Sequence, residues 1–287
     1  MTTHTIQAVS AAMPTVNSLS GGKTSSYMAA HYPADYNVFA LVRIEAEYCK
    51  PKDESIVRYV SDKIGMDFIA TAESDKTLYV MRDLEQMIGK EIIWVSGMTF
   101  EQTIKKKGGI LPNKRLRFCT EKMKLHTIAE WWIKNINEKV EMRVGYRYDE
   151  IERSERFTET IRISVGKKSN GHNIYREFDW RVGKFPLIED KVTHYQVKQW
   201  SDRIGLKFPP DSNCVGCFWK PIQQLRKNWE EEPLKMRWFA EAEKTSPKGK
   251  QYKWKKEMTY HSIKKIGLQQ DFVFGTGSGC QAGFCTD

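Results

Sequence analysis

The stretch "TVNSLSGGKTSSYMAAH", residues 15–31, holds the residue types in this chain best suited to gripping phosphate. Ser20, Gly21 and Gly22 allow a tight turn with outward-facing backbone N–H groups, because glycine takes positive φ without strain. Such N–H groups, together with a helix N-terminus, form an anion site. Lys23 adds a mobile positive charge, and Ser18, Thr24, Ser25 and Ser26 are further polar groups beside it. The Walker spacing is not met: with Gly22, Lys23 and Thr24 as its end, its first glycine falls on Asn17. A plain glycine turn with a Ser/Thr helix cap would use the same residues, so the local pattern leaves both readings open.

Cysteines form the second constellation. The pair Cys214 and Cys217 in "NCVGC" has the spacing that lets two thiolates grip one metal or cluster. The pair alone is equally compatible with redox exchange or chance. Cys119 follows the basic "KRLR" stretch and opens a helix, surroundings expected to lower a thiol's pKa. Three thiolates are one short of the four that an iron–sulfur cluster or a closed zinc site takes. Cys285 is chosen over Cys280 for the fourth, since glycines at 275, 277, 279 and 283 would let the chain fold back. Cys49 has no partner in sequence and reads as structural.

The elements that must position these groups alternate. Residues before Ser20 form a short strand, followed by a helix from "SSYMAAH". "YNVFALVRIE" (36–45) reads as a buried strand, 51–65 as a helix ending at Gly65, and "DFIATAE" as another strand. A helix to Gly89, the strand "EIIWVSG", an amphipathic helix over 121–136 and the strand-like "KVEMRVGYRY" (139–148) follow. This order predicts an α/β fold with a mostly parallel sheet and helices on both faces. Ligands of such sheets bind beyond the carboxyl ends of the strands, which puts residues 20–25, 43–50 and 145–153 on one rim. The second half is less regular, with a helix over 194–205 and a helical region over 221–245 interrupted near Pro233. Two regions are expected: a nucleotide-binding domain over 1–205 and a cysteine-bearing, helical C-terminal region over 206–287 packed on it.

Composition bounds the partners. The 287 residues suffice for a good core, and 40% hydrophobic content argues for a folded protein. No apolar run approaches the roughly 20 residues of a membrane span, and the first residues make a poor signal peptide, so a cytoplasmic location without membrane partners is expected. A formal net charge of +10 suits anionic small molecules or a nucleic-acid acceptor. The clustered part of that charge is Lys105 to Lys107, Arg115 with Arg117, and the Lys253 to Lys256 stretch.

Several segments, in order, resemble one family. "SLSGGKTS" is similar to the PP-loop of the adenine-nucleotide α-hydrolase group, and "VGYRYDEIERSER" resembles a segment of the phosphoadenylyl-sulfate (PAPS) reductase family. "RLRFCTEKMKL" and "FPLIEDKVTHYQVKQWSDRIGLKFPP" resemble two further segments of that family, so the likeness spans roughly residues 16–217. Thr24 stands where the PP-loop is usually acidic, and Val192 where the family has Trp. The Gly-Gly-Lys loop looks more like members that cleave ATP between the α and β phosphates.

The resemblance implies a Rossmann-like adenine-nucleotide α-hydrolase fold. It implies an enzyme that binds ATP, or PAPS, and links adenylation of an acceptor, with release of pyrophosphate, to sulfur or group transfer. Nucleotide contacts are expected from Ser18, Ser20, Gly21, Gly22, Lys23, Thr24, Ser25, Gly145 and Arg153. Lys23, Arg147 and Glu150 are the expected catalytic groups, and Asp149 with Glu150 would reach Mg2+. Relatives that carry iron–sulfur centres favour a 4Fe–4S cluster over zinc on Cys119, Cys214, Cys217 and Cys285. Partners expected are the adenine nucleotide, a nucleic-acid acceptor and a second copy of the chain. Alternatives are a PAPS or adenylyl-sulfate reductase using Cys285 as nucleophile, and a non-catalytic nucleotide-binding regulator.

Overall fold

The computed structural model describes residues 12–245 and 251–268; Cys280, Cys285 and the glycines near them lie outside the described residues. Five parallel strands form the central sheet, in the order β5-β2-β1-β6-β9. They are β1 (Thr15–Leu19), β2 (Tyr36–Ala40), β5 (Ile92–Val95), β6 (Val140–Val144) and β9 (Arg181–Lys184). Short apolar runs such as "NVFA" in β2 and "IIWV" in β5 are what a strand covered on both faces requires. The expected sheet class is therefore the observed one.

Helices cover both faces. On one side α1 (Lys23–His31), α2 (Glu54–Ile64) and α3 (Lys76–Ile88) pack Met28, Ile56, Val60, Leu78 and Leu84 against Leu19, Phe39 and Trp94. Both α2 and α3 end at glycines in the left-handed conformation, Gly65 and Gly89, where the sequence places them. The other face is covered by a helix that starts as α5 (Phe118–Thr120), passes through a π-helical turn (Glu121–Leu125) and continues as α6 (His126–Asn135). Ile128, Ala129 and Trp132 of α6 meet Val16, Val38, Val140 and Met142 there.

Two expected strands behave differently. The 36–45 run leaves the sheet after Ala40, and its end, β3 (Arg43–Ile44), pairs antiparallel with β4 (Ala70–Thr71) outside the parallel sheet. Arg43 accounts for the exit: its guanidinium turns to Ser96 Oγ (2.7 Å) and the Gly97 carbonyl (2.8 Å). An antiparallel hairpin, β7 (Thr160–Lys167) and β8 (Asn173–Asp179), was not expected. Only Ile161 and Ile163 of β7 are buried, so the apolar alternation that marks a strand is confined to its base.

After β5 come α4 (Phe100–Lys106), then α7 (Ile151–Ser154) behind β6, with α8 (Pro186–Glu189) and α9 (His194–Arg203) behind β9. The 221–245 region forms α10 (Ile222–Glu231) and α11 (Pro233–Ala242), with Pro233 in the first turn of α11, and α12 (Tyr260–Lys264) follows. Leu225, Trp229, Met236, Phe239 and Ile263 of these helices share one core with Val42, Ile44, Ala70, Ala72 and Phe100.

Candidate functional site

From β1 the chain moves outward to β2 and β5, then crosses back to place β6 on β1's other side. The connection after β1 runs over one face and the helix preceding β6 lies on the opposite face, so a crevice opens between the carboxyl ends of β1 and β6. This is the topological switch point at which open α/β sheets bind ligands. Ser18, Ser20, Gly22, Lys23, Thr24 and Ser25 line a cleft there, faced by Gly145, Arg147, Glu150 and Arg153 from the β6 side. Gly21 is buried at the turn itself rather than on the cleft wall. The third rim segment, 43–50, is absent from this wall. It turns toward α11 instead, where Tyr48 donates to Glu241 Oε2 at 2.6 Å and Cys49 is buried in the core, its thiol pushed up to about 12 by burial.

The turn is built by two glycines and one serine. Gly21 takes φ of +74°, and a Cβ there would run into Thr77 Cγ2. The Ser25 hydroxyl donates to the Gly22 carbonyl (3.1 Å) and accepts from the Ser20 N–H (3.1 Å), closing the loop on itself. Helix α1 starts at Gly22 with no side-chain cap and no acid in its first turn, so its N–H groups and positive dipole end meet no protein anion. Gly145 has the tightest reason to be glycine: a Cβ would lie 3.3 Å from Ser25 N, Ser25 Cα and the Thr24 carbonyl. That close approach brings the β6 arginines to the loop.

Electrostatics of the cleft are arranged around Glu150. Its Oε1 lies 3.2 Å from Arg147 Nη2 and 2.8 Å from Arg153 Nη1. Arg147 also donates to Thr24 Oγ1 (3.0 Å) and to Asp149 Oδ1 (3.2 Å), tying the two sides of the crevice together. Arg153 is buried, with its guanidinium 4.4 Å from the Tyr146 ring centre. The ammonium of Lys23 has no ion-pair partner among the described residues. Both carboxylates expected to reach magnesium are thus engaged within the protein, Asp149 also accepting the His194 N–H at 3.2 Å.

Sequence reasoning missed the far wall. His194 at the start of α9 and residues Pro209, Pro210, Asp211 and Ser212 also line the cleft. Burial, and after it the charge of Arg147, holds the His194 imidazole below its ordinary value. Ser212 covers the loop closely, since a Cβ on Gly22 would come within 2.8 Å of Ser212 Cβ. The buried Lys220 braces this wall through Asp211 Oδ2 at 3.0 Å. The paired prolines of "FPPDSN" are the one local sign of a rigid wall in the sequence.

The three described candidate metal cysteines come together, outside the cleft. Cys214 and Cys217 share one turn, closed by Cys217 N–H to the Cys214 carbonyl at 3.0 Å, and Cys119 and Cys217 lie within each other's electrostatic reach. Among the described residues, however, no group of three or more His, Cys, Asp or Glu side chains is arranged to hold a metal ion. The expectation that Cys119 has a lowered pKa is overturned. Burial pushes its thiol up to about 11, outweighing the backbone N–H and Arg117 that favour the thiolate. Burial likewise raises the Cys214 thiol, with the carboxylate of Glu73 its foremost charged neighbour. Glu73 is fully buried and held by Lys124 Nζ at 2.9 Å.

No helix among the described residues is long and apolar enough to cross a membrane. No family model matches the chain, and no curated protein matches it.

Proposed function

We propose that this chain is a PP-loop enzyme, similar to the PAPS reductase family, that binds ATP in the cleft between β1 and β6 and activates an acceptor by adenylation. One observation carries the reading. An uncapped helix N-terminus, a glycine turn, the unpaired Lys23 and two arginines fixed by Glu150 all face the same crevice at the switch point.

In the proposed step an acceptor nucleophile attacks the α-phosphorus. The bond from the α-phosphorus to the α–β bridging oxygen breaks, and pyrophosphate leaves with the electron pair. The groups of this chain do electrostatic work: loop N–H groups and Lys23 meet the charge that develops on the leaving pyrophosphate. Arg147 and Arg153 add two fixed donor forks, which suit phosphate oxygens bidentately. Glu150 acts as a positioning residue that keeps both guanidiniums in place. Magnesium would arrive with the nucleotide's own phosphates. A 4Fe–4S or zinc centre on Cys119, Cys214 and Cys217 with Cys285 is a separate proposal; the described thiols do not converge on an ion, and no step is routed through them. Iron and zinc analysis of anaerobically purified protein, together with its visible spectrum, tests it.

Titration calorimetry with ATP and with PAPS, alongside a pyrophosphate-release assay, tests the nucleotide reading. Lys23→Met is the informative variant, because a side chain at Gly22 would meet Ser212 and confound packing with binding. We expect at least about a tenfold loss of ATP affinity, about 1.4 kcal/mol, with the melting temperature held. Equal affinity in Lys23→Met and in Arg147→Met would remove the phosphate-binding assignment.

A further inference from the structure

The basic runs that the nucleotide cleft does not use meet on one surface. Lys105, Lys106 and Lys107 are exposed at the end of α4. Lys114 and Arg115 line a cavity of about 640 Å³ together with Lys253, Lys255 and Lys256. A second groove, containing Lys107, Arg117 and Phe118, shares Ile110 and Leu116 with that cavity, so the two are continuous.

Lys255 is the telling group. Only 8% of it is exposed, yet its ammonium has no ion pair or hydrogen bond among the described residues. Lys114 lies within its electrostatic reach, and burial followed by that like charge lowers its pKa. A buried ammonium beside a second one is unfavourable unless an anion meets it. The cavity around it, walled by Tyr252 and Trp254, is where that anion has room.

The positive surface extends well past one phosphate. Lys114 Nζ and Arg117 Cζ each stand about 6 Å from the Trp219 ring centre, at 5.8 and 5.7 Å. Tyr175, exposed on the β7–β8 hairpin, lies in the field of Lys122, Lys106 and Lys107, and Arg162 and Arg176 accompany it on the same hairpin. Basic side chains interleaved with accessible aromatic rings along a groove are the chemistry that holds a single nucleic-acid strand: cations for the phosphates, rings for the bases. A free phosphate or nucleotide would need the cavity alone.

We propose that this groove, from Lys256 and Lys255 past Arg117 to the β7–β8 hairpin, binds a single-stranded nucleic acid, with Lys255 and Lys114 gripping one backbone phosphate. The groove passes Phe118 and Thr120, the neighbours of Cys119, so a bound strand runs beside the three-thiol turn. The proposal stands on surface charge and does not depend on the nucleotide reading.

Fluorescence anisotropy of labelled 20-residue RNA and DNA oligonucleotides on the full chain tests it, across a salt series. The expected result is binding that weakens linearly in log salt. Lys114→Gln/Lys256→Gln should weaken it by about tenfold or more and make the slope shallower by about 1.4, at about 0.7 per neutralised phosphate of a single strand. Lys255→Met should weaken binding without lowering the melting temperature, because no partner in the fold is lost. Lys52→Gln/Lys90→Gln, with the same charge change on turns preceding α2 and β5, should leave affinity unchanged. Lys23→Met, by contrast, should spare the oligonucleotide, which separates this site from the ATP cleft. Absence of oligonucleotide binding at about 50 mM salt, equal weakening by the control pair, or full competition by inorganic phosphate at millimolar concentration would each overturn the proposal.

Discussion

At the scale of the residue, Glu150 decides how the cleft works. Two guanidiniums this close would repel one another without the carboxylate between them, and their side chains are only 15% and 10% exposed. Removing it therefore lowers the stability of the free protein, by about 2 kcal/mol, under the 3–5 typical of a fully buried broken pair. An anion in the cleft would replace the missing charge. Glu150→Gln is thus expected to melt earlier than the parent alone and to show a larger upward shift in melting temperature with pyrophosphate. A magnesium-holding Glu150 would behave oppositely, the variant gaining less from the magnesium nucleotide than the parent does. His194 supplies the pH dependence of the same cleft. Its pKa is depressed, so it is neutral near pH 7 and takes up a proton only below the ordinary histidine range. Nucleotide affinity should rise as pH falls through that depressed value, and His194→Gln should remove the rise in calorimetry.

At the scale of the element, the segment leading into α12 is held by a single carboxylate. Glu243, just past α11, accepts the Tyr260 N–H (2.7 Å) and the Trp254 N–H (3.3 Å). Burial raises its pKa from 4.5 to about 7. A carboxyl group with a raised native pKa binds its proton more tightly when folded. Its contribution is complete below about pH 4.5 and declines as pH climbs to about 7, beyond which it is flat. Thermal midpoints measured across that range should show this decline in the parent and a weaker one in Glu243→Gln. The loop of α1 makes a second element-level case. Gly21→Ala combines a positive φ with a collision at Thr77, and should lose nucleotide binding together with about 1–3 kcal/mol of stability. Thr77→Ser makes room but cannot relieve φ, so the double variant should recover only part.

At the scale of the whole molecule, the C-terminal helices are part of the core that lies beside the sheet. Phe218, Leu225, Met236 and Phe239 pack with Val42, Ile44, Ala72 and Phe100, residues of the first half. Cutting the chain after residue 205 would uncover that surface, so the fragment is expected to lose cooperative thermal unfolding and to bind a hydrophobic dye. A sharp calorimetric transition in the fragment would show that the first half folds by itself. Gly216 marks the same junction: a Cβ there would run into the Phe239 ring, which ties the cysteine turn closely to α11.

The sequence by itself determined what depends on neighbours along the chain. Gly65 and Gly89 end their helices, Pro233 divides α10 from α11, and apolar runs mark β1, β2, β5 and β6, because caps, φ restrictions and strand burial are local. The glycine loop and "VGYRYDE" were legible as cleft residues because each directly follows a parallel strand, and parallel strands share one carboxyl edge. What lay outside local pattern was decided in three dimensions. The β7–β8 hairpin has too few buried positions to show an alternation, and residues 43–50 left the rim because Arg43 found partners on the segment after β5. His194, Ser212 and Lys255 carry no spacing signal, since their roles come from chain segments brought together from far apart. The thiol of Cys119 reversed its expected pKa direction for the same reason: a helix start and nearby arginines are readable in sequence, but the packing that withholds water from the sulfur is a property of the folded core.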